Sequence, residues 1–345
     1  MALVDELEPH DAEGYFSRGR AHYDKRDYDH ATADCTKAIE LDPKHAEAYC
    51  IRGAAYYCKL EWQHAIADYS RAIEILPQCA SYYTYRGEVY RDTDRPDLAL
   101  ADFTAVIELN PLDEGAYYYR GRLYDDQGEY DLAIADYSKA IELNPDEADY
   151  CSRADAYLHK RDYDHAIADC TKAIELDAGY ILAGYGSRAR AYEEQREYDL
   201  AIADYTTLIE LHSKNGFVSG NLYASRGLAY YNYGDCNLAI ADYSKAIELN
   251  PKAGWLHSCL GLAYANLGDY DHAIADFSTA IPLDRHGAHY IYYDRGNTYI
   301  NKGELDLAIA DYSKAIELDP LAGFAYDGRG NAYSRQGEHN LLSFQ

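Results

Sequence analysis

The segment DLAIADYSKAIELNP at 131–145 recurs with small changes at 29–43, 63–77, 97–111, 164–178, 199–213, 237–251, 271–285 and 306–320. A repeat at such a period means one small unit copied along the chain, each copy burying its apolar face on its neighbours because it cannot do so alone. The 345 residues therefore count repeats rather than globular domains. Within one copy Leu132, Ala133, Tyr137, Ala140, Ile141 and Asn144 fall three or four residues apart, the apolar stripe of an amphipathic helix. Asn144-Pro145 stops it, since the residue before proline leaves the helical region and proline has no N–H for the ladder.

A second helical pattern precedes each copy, as in EGAYYYRGRLYDDQG at 114–128, where Tyr117, Gly121 and Tyr124 share a face. The unit is a helix pair, and Gly128 marks the turn between its helices because glycine takes the left-handed conformation without a Cβ penalty. Gly234, Gly268, Gly303 and Gly337 fill the same slot. Arg26, Leu60, Asp94, Arg161 and Arg196 replace it, which predicts costlier turns. Glycines at mid-helix, such as Gly53 and Gly121, are expected to let the facing helix and its alanines, Ala65 and Ala133, approach closely.

In the second copy the unit reads Tyr49, Gly53, Tyr56, Ala65, Tyr69, Ala72 and Pro77 at set intervals, and on these residues it resembles the tetratricopeptide repeat, a helix–turn–helix unit of about 34 residues. The resemblance covers residues 12–345. It implies an all-α, right-handed solenoid of antiparallel helix pairs, with repeats at about 12–45, 46–79, 80–113, 114–146, 147–180, 182–215, 220–253, 254–287 and 289–322 and a partial tenth from 323. Residues 1–11 read as a short acidic leader and 212–221 as an irregular insertion. The partial repeat is expected to turn at Gly337, with EHNLLSFQ beginning a second helix, and its end to be closed by Leu341, Leu342 and Phe344, to dock on another subunit, or to continue in a longer protein.

Composition excludes several functions. With 59 acidic against 32 basic residues the net charge is −27, which disfavours nucleic acid and anionic membrane and permits a basic partner. The acidic start does not read as a secretory signal and no run of 18 apolar residues occurs, so a cytoplasmic protein is the expectation. Cys35 and Cys170 occupy an aromatic slot of the repeat and read as core thiols. His30, His64, His165 and His272 share one repeat position and do not converge as metal ligands would, so no metal and no cofactor are expected. No nucleophile elbow, Walker loop or dinucleotide fingerprint appears, and the chain reads as a non-enzyme.

Two sets of residues stand out. The seventh repeat position carries arginine where the family pattern has leucine: Arg18, Arg52, Arg86, Arg120, Arg153, Arg188, Arg226, Arg295 and Arg329, with Leu260 the exception. The twenty-third carries Asp34, Asp68, Asp102, Asp136, Asp169, Asp204, Asp242, Asp276 and Asp311. Together they suggest a ladder of forked ion pairs along the array; the alternative is that both are solvated and merely copied by duplication. The second set lies on the first helices, at the positions that in proteins resembling this one line the inner groove: Tyr57, Tyr85, Arg91, Tyr118, Tyr119, Arg122, Tyr231, Trp255, Tyr290 and Tyr293. Tyrosine, tryptophan and arginine dominate binding energies at interfaces, so a groove for a protein or peptide is the leading function, against the alternative that these rings pack on adjacent repeats. Two further readings stay open: self-assembly through uncapped ends into a filament or ring, and a regulatory segment of a larger enzyme.

Overall fold

A computed structural model describes residues 10–176, 181–217 and 219–343, without the side chains of residues 147 and 338–343. Among the described residues there are nineteen helices and no strand. The chain divides into two compact units, Met1–Asp162 and Tyr163–Gln345. Unit 1 holds α1 (Ala12–Asp24), α2 (Tyr28–Leu41), α3 (Ala46–Cys58), α4 (Trp62–Ile75), α5 (Ala80–Asp92), α6 (Pro96–Leu109), α7 (Glu114–Asp126), α8 (Tyr130–Leu143) and α9 (Glu147–His159). Unit 2 holds α10 (Tyr163–Leu176), α11 (Ile181–Glu194), α12 (Tyr198–Lys214), α13 (Gly220–Tyr233), α14 (Cys236–Leu249), α15 (Gly254–Leu267), α16 (Tyr270–Leu283), α17 (Ala288–Lys302), α18 (Leu305–Leu318) and α19 (Gly323–Ser343). In each unit a helix packs on the next in sequence, and first helices also touch the first helix of the following repeat, as α1 does α3 and α15 does α17.

The local reasons for these helices are the same in every copy. In α8 the buried residues Ala133, Asp136, Tyr137 and Ala140 form one stripe, and the chain leaves the helix at Asn144 in an extended conformation ahead of Pro145. Asp27, Asp113, Asp235 and Asp269 cap helix starts by accepting a backbone N–H. Small residues make up most of the core: Ala31, Ala65, Ala99, Ala133, Ala201, Ala239, Ala273 and Ala308 have no solvent exposure. Mid-helix glycine is covered mainly by the aromatic ring of the following helix rather than by its alanine. A Cβ on Gly121 would stand 3.0 Å from the Tyr137 ring, and one on Gly261 2.8 Å from Phe277. The second is closer than real Cβ atoms come and the first is tighter than most, so ring and glycine are a fitted pair.

The turns separate into two groups. Gly128, Gly234, Gly268 and Gly303 are left-handed, with φ between 79° and 99°, while Arg26, Leu60, Asp94, Arg161 and Arg196 adopt the same conformation at φ 56° to 64°. Side-chain-bearing residues pay roughly 1–2 kcal/mol for that. Gly337 departs from the expectation of a turn: α19 runs through it to Ser343. Leu342 stands where the second helix of other repeats has its alanine, as Ala133 does five residues after Gly128, and a glycine inside a helix costs only about 1 kcal/mol. The closure by Leu341, Leu342 and Phe344 concerns side chains outside the described residues. At 212–221, α12 continues to Lys214 and the chain turns at Gly216 with φ 77° before α13 starts at Gly220.

Candidate functional site

The arginine and aspartate columns meet as pairs. Arg18 Nε donates to Asp34 Oδ2 and Nη2 to Oδ1, both at 2.7 Å. The same fork joins Arg52 to Asp68, Arg86 to Asp102, Arg120 to Asp136, Arg188 to Asp204, Arg226 to Asp242 and Arg295 to Asp311 at 2.7–2.9 Å. Each pair lies within one repeat. These aspartates are buried, at 3–7% exposure, so removing one partner of a fork strands a buried charge and costs more than losing a surface ion pair. Arg153 and Asp169 fall in different units, and that pair stays an expectation.

A third partner was not legible from the two columns. The remaining guanidinium nitrogen, Nη1, reaches a hydroxyl of the preceding repeat: Arg52 to Thr36, Arg86 to Ser70, Arg120 to Thr104, Arg153 to Ser138, Arg188 to Thr171, Arg226 to Thr206, Arg295 to Ser278 and Arg329 to Ser313, at 2.7–3.3 Å. Several of these hydroxyls donate in turn to the helix carbonyl four residues back, as Ser138 does to Ile134 at 2.6 Å. The arginine thus ties its own helix pair together and fastens it to the pair before. Its guanidinium also lies over the tyrosine three residues earlier, 5.5 Å from the Tyr49 ring for Arg52. In the eighth repeat Leu260 leaves Asp276 without arginine, and His257, which stands where other repeats have that tyrosine, supplies Nδ1 at 3.0 Å from Asp276 Oδ1.

The groove residues divide by exposure. Tyr85, Trp255 and Tyr290 stand 42%, 46% and 57% exposed, and Arg122 is also exposed. The others are half-buried. Tyr118 packs on Tyr137 and Tyr119 stacks on Phe103, with ring centres 6.0 and 5.5 Å apart, while Arg91 lies over Tyr119 and bonds Asp92. Tyr57 donates to Asp92 at 2.6 Å, Tyr231 packs into a core cluster with Leu256 and Leu260, and Tyr293 lies against Tyr312 and Phe324. Packing on adjacent residues therefore accounts for the half-buried members, and it reaches exposed Tyr290 as well, which stacks on Phe324 with ring centres 5.3 Å apart. The same positions of the first helices also carry carboxylates, which a pattern of aromatic and arginine residues does not include. Burial raises Glu88, Asp125 and Glu193 above the ordinary carboxylate range and brings Asp294 to about 6. Among the described residues, Asp125 Oδ1, with His159 Nδ1 3.8 Å away, and Glu193 Oε1 are buried without a hydrogen-bond partner. Their positions on the first helices were signal enough to find them.

Of the histidines, His30, His64 and His272 each place Nδ1 on the acid three residues earlier, Asp27, Glu61 and Asp269, at 2.7–3.2 Å. His22 joins Asp27 and His30 in the one group among the described residues whose ligand atoms lie within 4.8 Å of each other. Asp27 also caps α2 there, and the two imidazole rings stack with centres 5.2 Å apart. Late in the second helices Lys37, Lys139, Lys245 and Lys314 pair with Glu40, Glu142, Glu248 and Glu317 on the exposed surface. Cys35 and Cys170 are buried.

Models of the tetratricopeptide repeat match residues 12–45, 115–147 and 289–320, and again 150–180, 182–215 and 260–286, and a TPR repeat model matches 227–268. The chain belongs to the tetratricopeptide repeat family. It is similar to a tetratricopeptide repeat protein from Parabacteroides merdae ATCC 43184, at 22% identity and TM-score 0.52 over 73% of this chain and 98% of that one. Similarity extends to MamA, at 28% identity and TM-score 0.46 over 48% of this chain and 90% of that one. It also extends to a chain of the APC/C hetero-tetramer Cut9-Hcn1, at 16% and 0.46 over 94% and 70%. No curated protein sequence matches it. No helix among the described residues is long and apolar enough to cross a membrane.

Proposed function

We propose that this chain is a non-enzymatic, cytoplasmic interaction scaffold that binds a protein or peptide, basic in character, along the face of its first helices. The observation that carries the reading is the exposure of Tyr85, Trp255 and Tyr290 at groove positions, where rings of that size gain most from being covered. The carboxylates beside them, on a chain of net charge −27, favour a cationic partner. Half-buried Tyr118 and Tyr119 also support the scaffold, so the test uses exposed residues instead. Affinity capture with the intact chain is compared with an Arg122→Ala, Trp255→Ala, Tyr290→Ala variant of unchanged circular dichroism. Partners should fall roughly tenfold or more in the variant; equal recovery of the same partners would sink the reading.

A further inference from the structure

Between α1, α3 and α5 the first-helix face of unit 1 closes into a pocket of about 230 Å³. Its walls include the rings of Tyr23, Tyr57, Tyr69 and Tyr85 and the Cys58 thiol, and Glu88 is the charged residue lining it. The rings are held in place. Tyr57 donates to Asp92 and meets Trp62 edge-on at 5.3 Å, and Tyr85 lies 5.7 Å from Tyr69. The nearest charges to Glu88 on its own helix, Arg91 and Asp92, are bonded to each other at 2.9 Å. Glu88 itself is half-buried and takes part in no hydrogen bond or ion pair among the described residues.

A carboxylate withdrawn from water and left without a donor is an unfavourable arrangement that a bound cation would relieve. Aromatic faces around it add attraction for the same charge. The pocket is smaller than the roughly 300–1,000 Å³ of a site for a drug-sized molecule, which suits a single side chain. An ammonium is a compact point charge on a slender four-carbon stem, which fits a small volume beside one carboxylate, whereas a guanidinium is a broad planar fork of five donors.

We infer that this pocket is the anchor site for a lysine side chain of the bound peptide, its ammonium on Glu88 and its methylene stem among the tyrosine rings. The inference rests on the reading that the first-helix face binds a peptide, and it names the residue recognised there. The test titrates the full chain with N-acetyl-lysine methylamide, N-acetyl-norleucine methylamide and N-acetyl-arginine methylamide, followed by ligand-observed NMR. The lysine amide should saturate, and the norleucine amide should bind at least about tenfold more weakly. Glu88→Gln should weaken the lysine amide by about tenfold and leave the norleucine amide unchanged. Tyr85→Leu, at an exposed position, should weaken it by roughly fivefold and guards against a folding defect in the first variant. Equal binding by wild type and both variants, norleucine as tight as lysine, arginine tighter than lysine, or no saturation would each overturn the assignment. The probes need no partner, so the outcome separates from the capture experiment. Lysine-amide binding alongside unchanged capture sinks only the scaffold reading, and the reverse sinks only the pocket.

Discussion

At the scale of single residues, the arginine of the seventh position is a junction of three bonds. Arg226 forks onto Asp242, reaches Thr206 of the preceding repeat at 3.0 Å and lies over Tyr223 at 5.7 Å. Removing one partner of a buried pair strands the other, at roughly 3–5 kcal/mol when burial is complete. Asp242 is 5% exposed but Arg226 keeps more contact with water, so Arg226→Leu should cost about 2–4 kcal/mol in urea unfolding. The eighth repeat holds the same leucine beside His257, which bonds Asp276. Adding Tyr223→His to Arg226→Leu should therefore restore part of the loss. If the double variant is no more stable than the single one, the histidine is not a substitute for the arginine. The two charged columns could be read from the sequence because identical residues recurred at identical spacing. The hydroxyl partner could not, because Thr36, Ser70, Thr104 and Ser138 look like ordinary polar helix residues until the preceding repeat is placed beside the arginine.

At the scale of the helix pair, the turn is where copies differ in cost. Leu60 and Gly128 hold the same left-handed position, at φ 61° and 79°. The Leu60 side chain is largely exposed, and a Cβ at Gly128 would meet nothing within 4 Å, so substitution at either site changes backbone preference with little packing. Left-handed backbone costs a side-chain-bearing residue roughly 1–2 kcal/mol, against the 0.5–1 kcal/mol of entropy that glycine loses. Leu60→Gly should thus stabilise the chain by about 1 kcal/mol and Gly128→Leu destabilise it by as much, read from thermal melts. A Leu60→Gly melt at or below wild type would refute the strain. Which residues sit at these turns was legible from the pattern. The fate of Gly337 was not: its slot matched Gly128, but Leu342 follows it where Ala133 follows Gly128, and α19 runs on through it. Gly53, Gly121 and Gly261 are close-packing positions, as their place in the repeat suggested, whereas a Cβ on Gly330 would meet nothing within 4 Å, and the ring of Tyr137 or Phe277 as the main cover follows only from side-chain direction.

At the scale of the whole molecule, the candidate site was less legible than the fold, because the repeat fixes helices whereas the candidate groove residues vary between copies and include rings that pack on their neighbours. Charge is the property that the chain expresses as a whole. Its net −27 sets like charges against each other throughout, and self-repulsion disfavours the folded state. Opposing this are exposed pairs such as Lys139 with Glu142 and Lys245 with Glu248, each worth about 0.2–0.5 kcal/mol. The buried forks are screened much less by salt. Raising ionic strength from 0.01 M to 0.1 M shortens the Debye length from about 30 Å to about 10 Å, which removes long-range repulsion among some dozens of charges while costing only the weak surface pairs. Melting temperature should therefore rise by a few degrees as sodium chloride increases from 10 to 500 mM, by the roughly 2–4 °C per kcal/mol expected for a large chain. The same salt should weaken capture of a basic partner, so stability and binding move in opposite directions in one titration. A melting temperature that falls with salt would mean that surface ion pairs outweigh repulsion, and the acidic surface would then act as a stabilising network, with no need of a cationic partner to account for it.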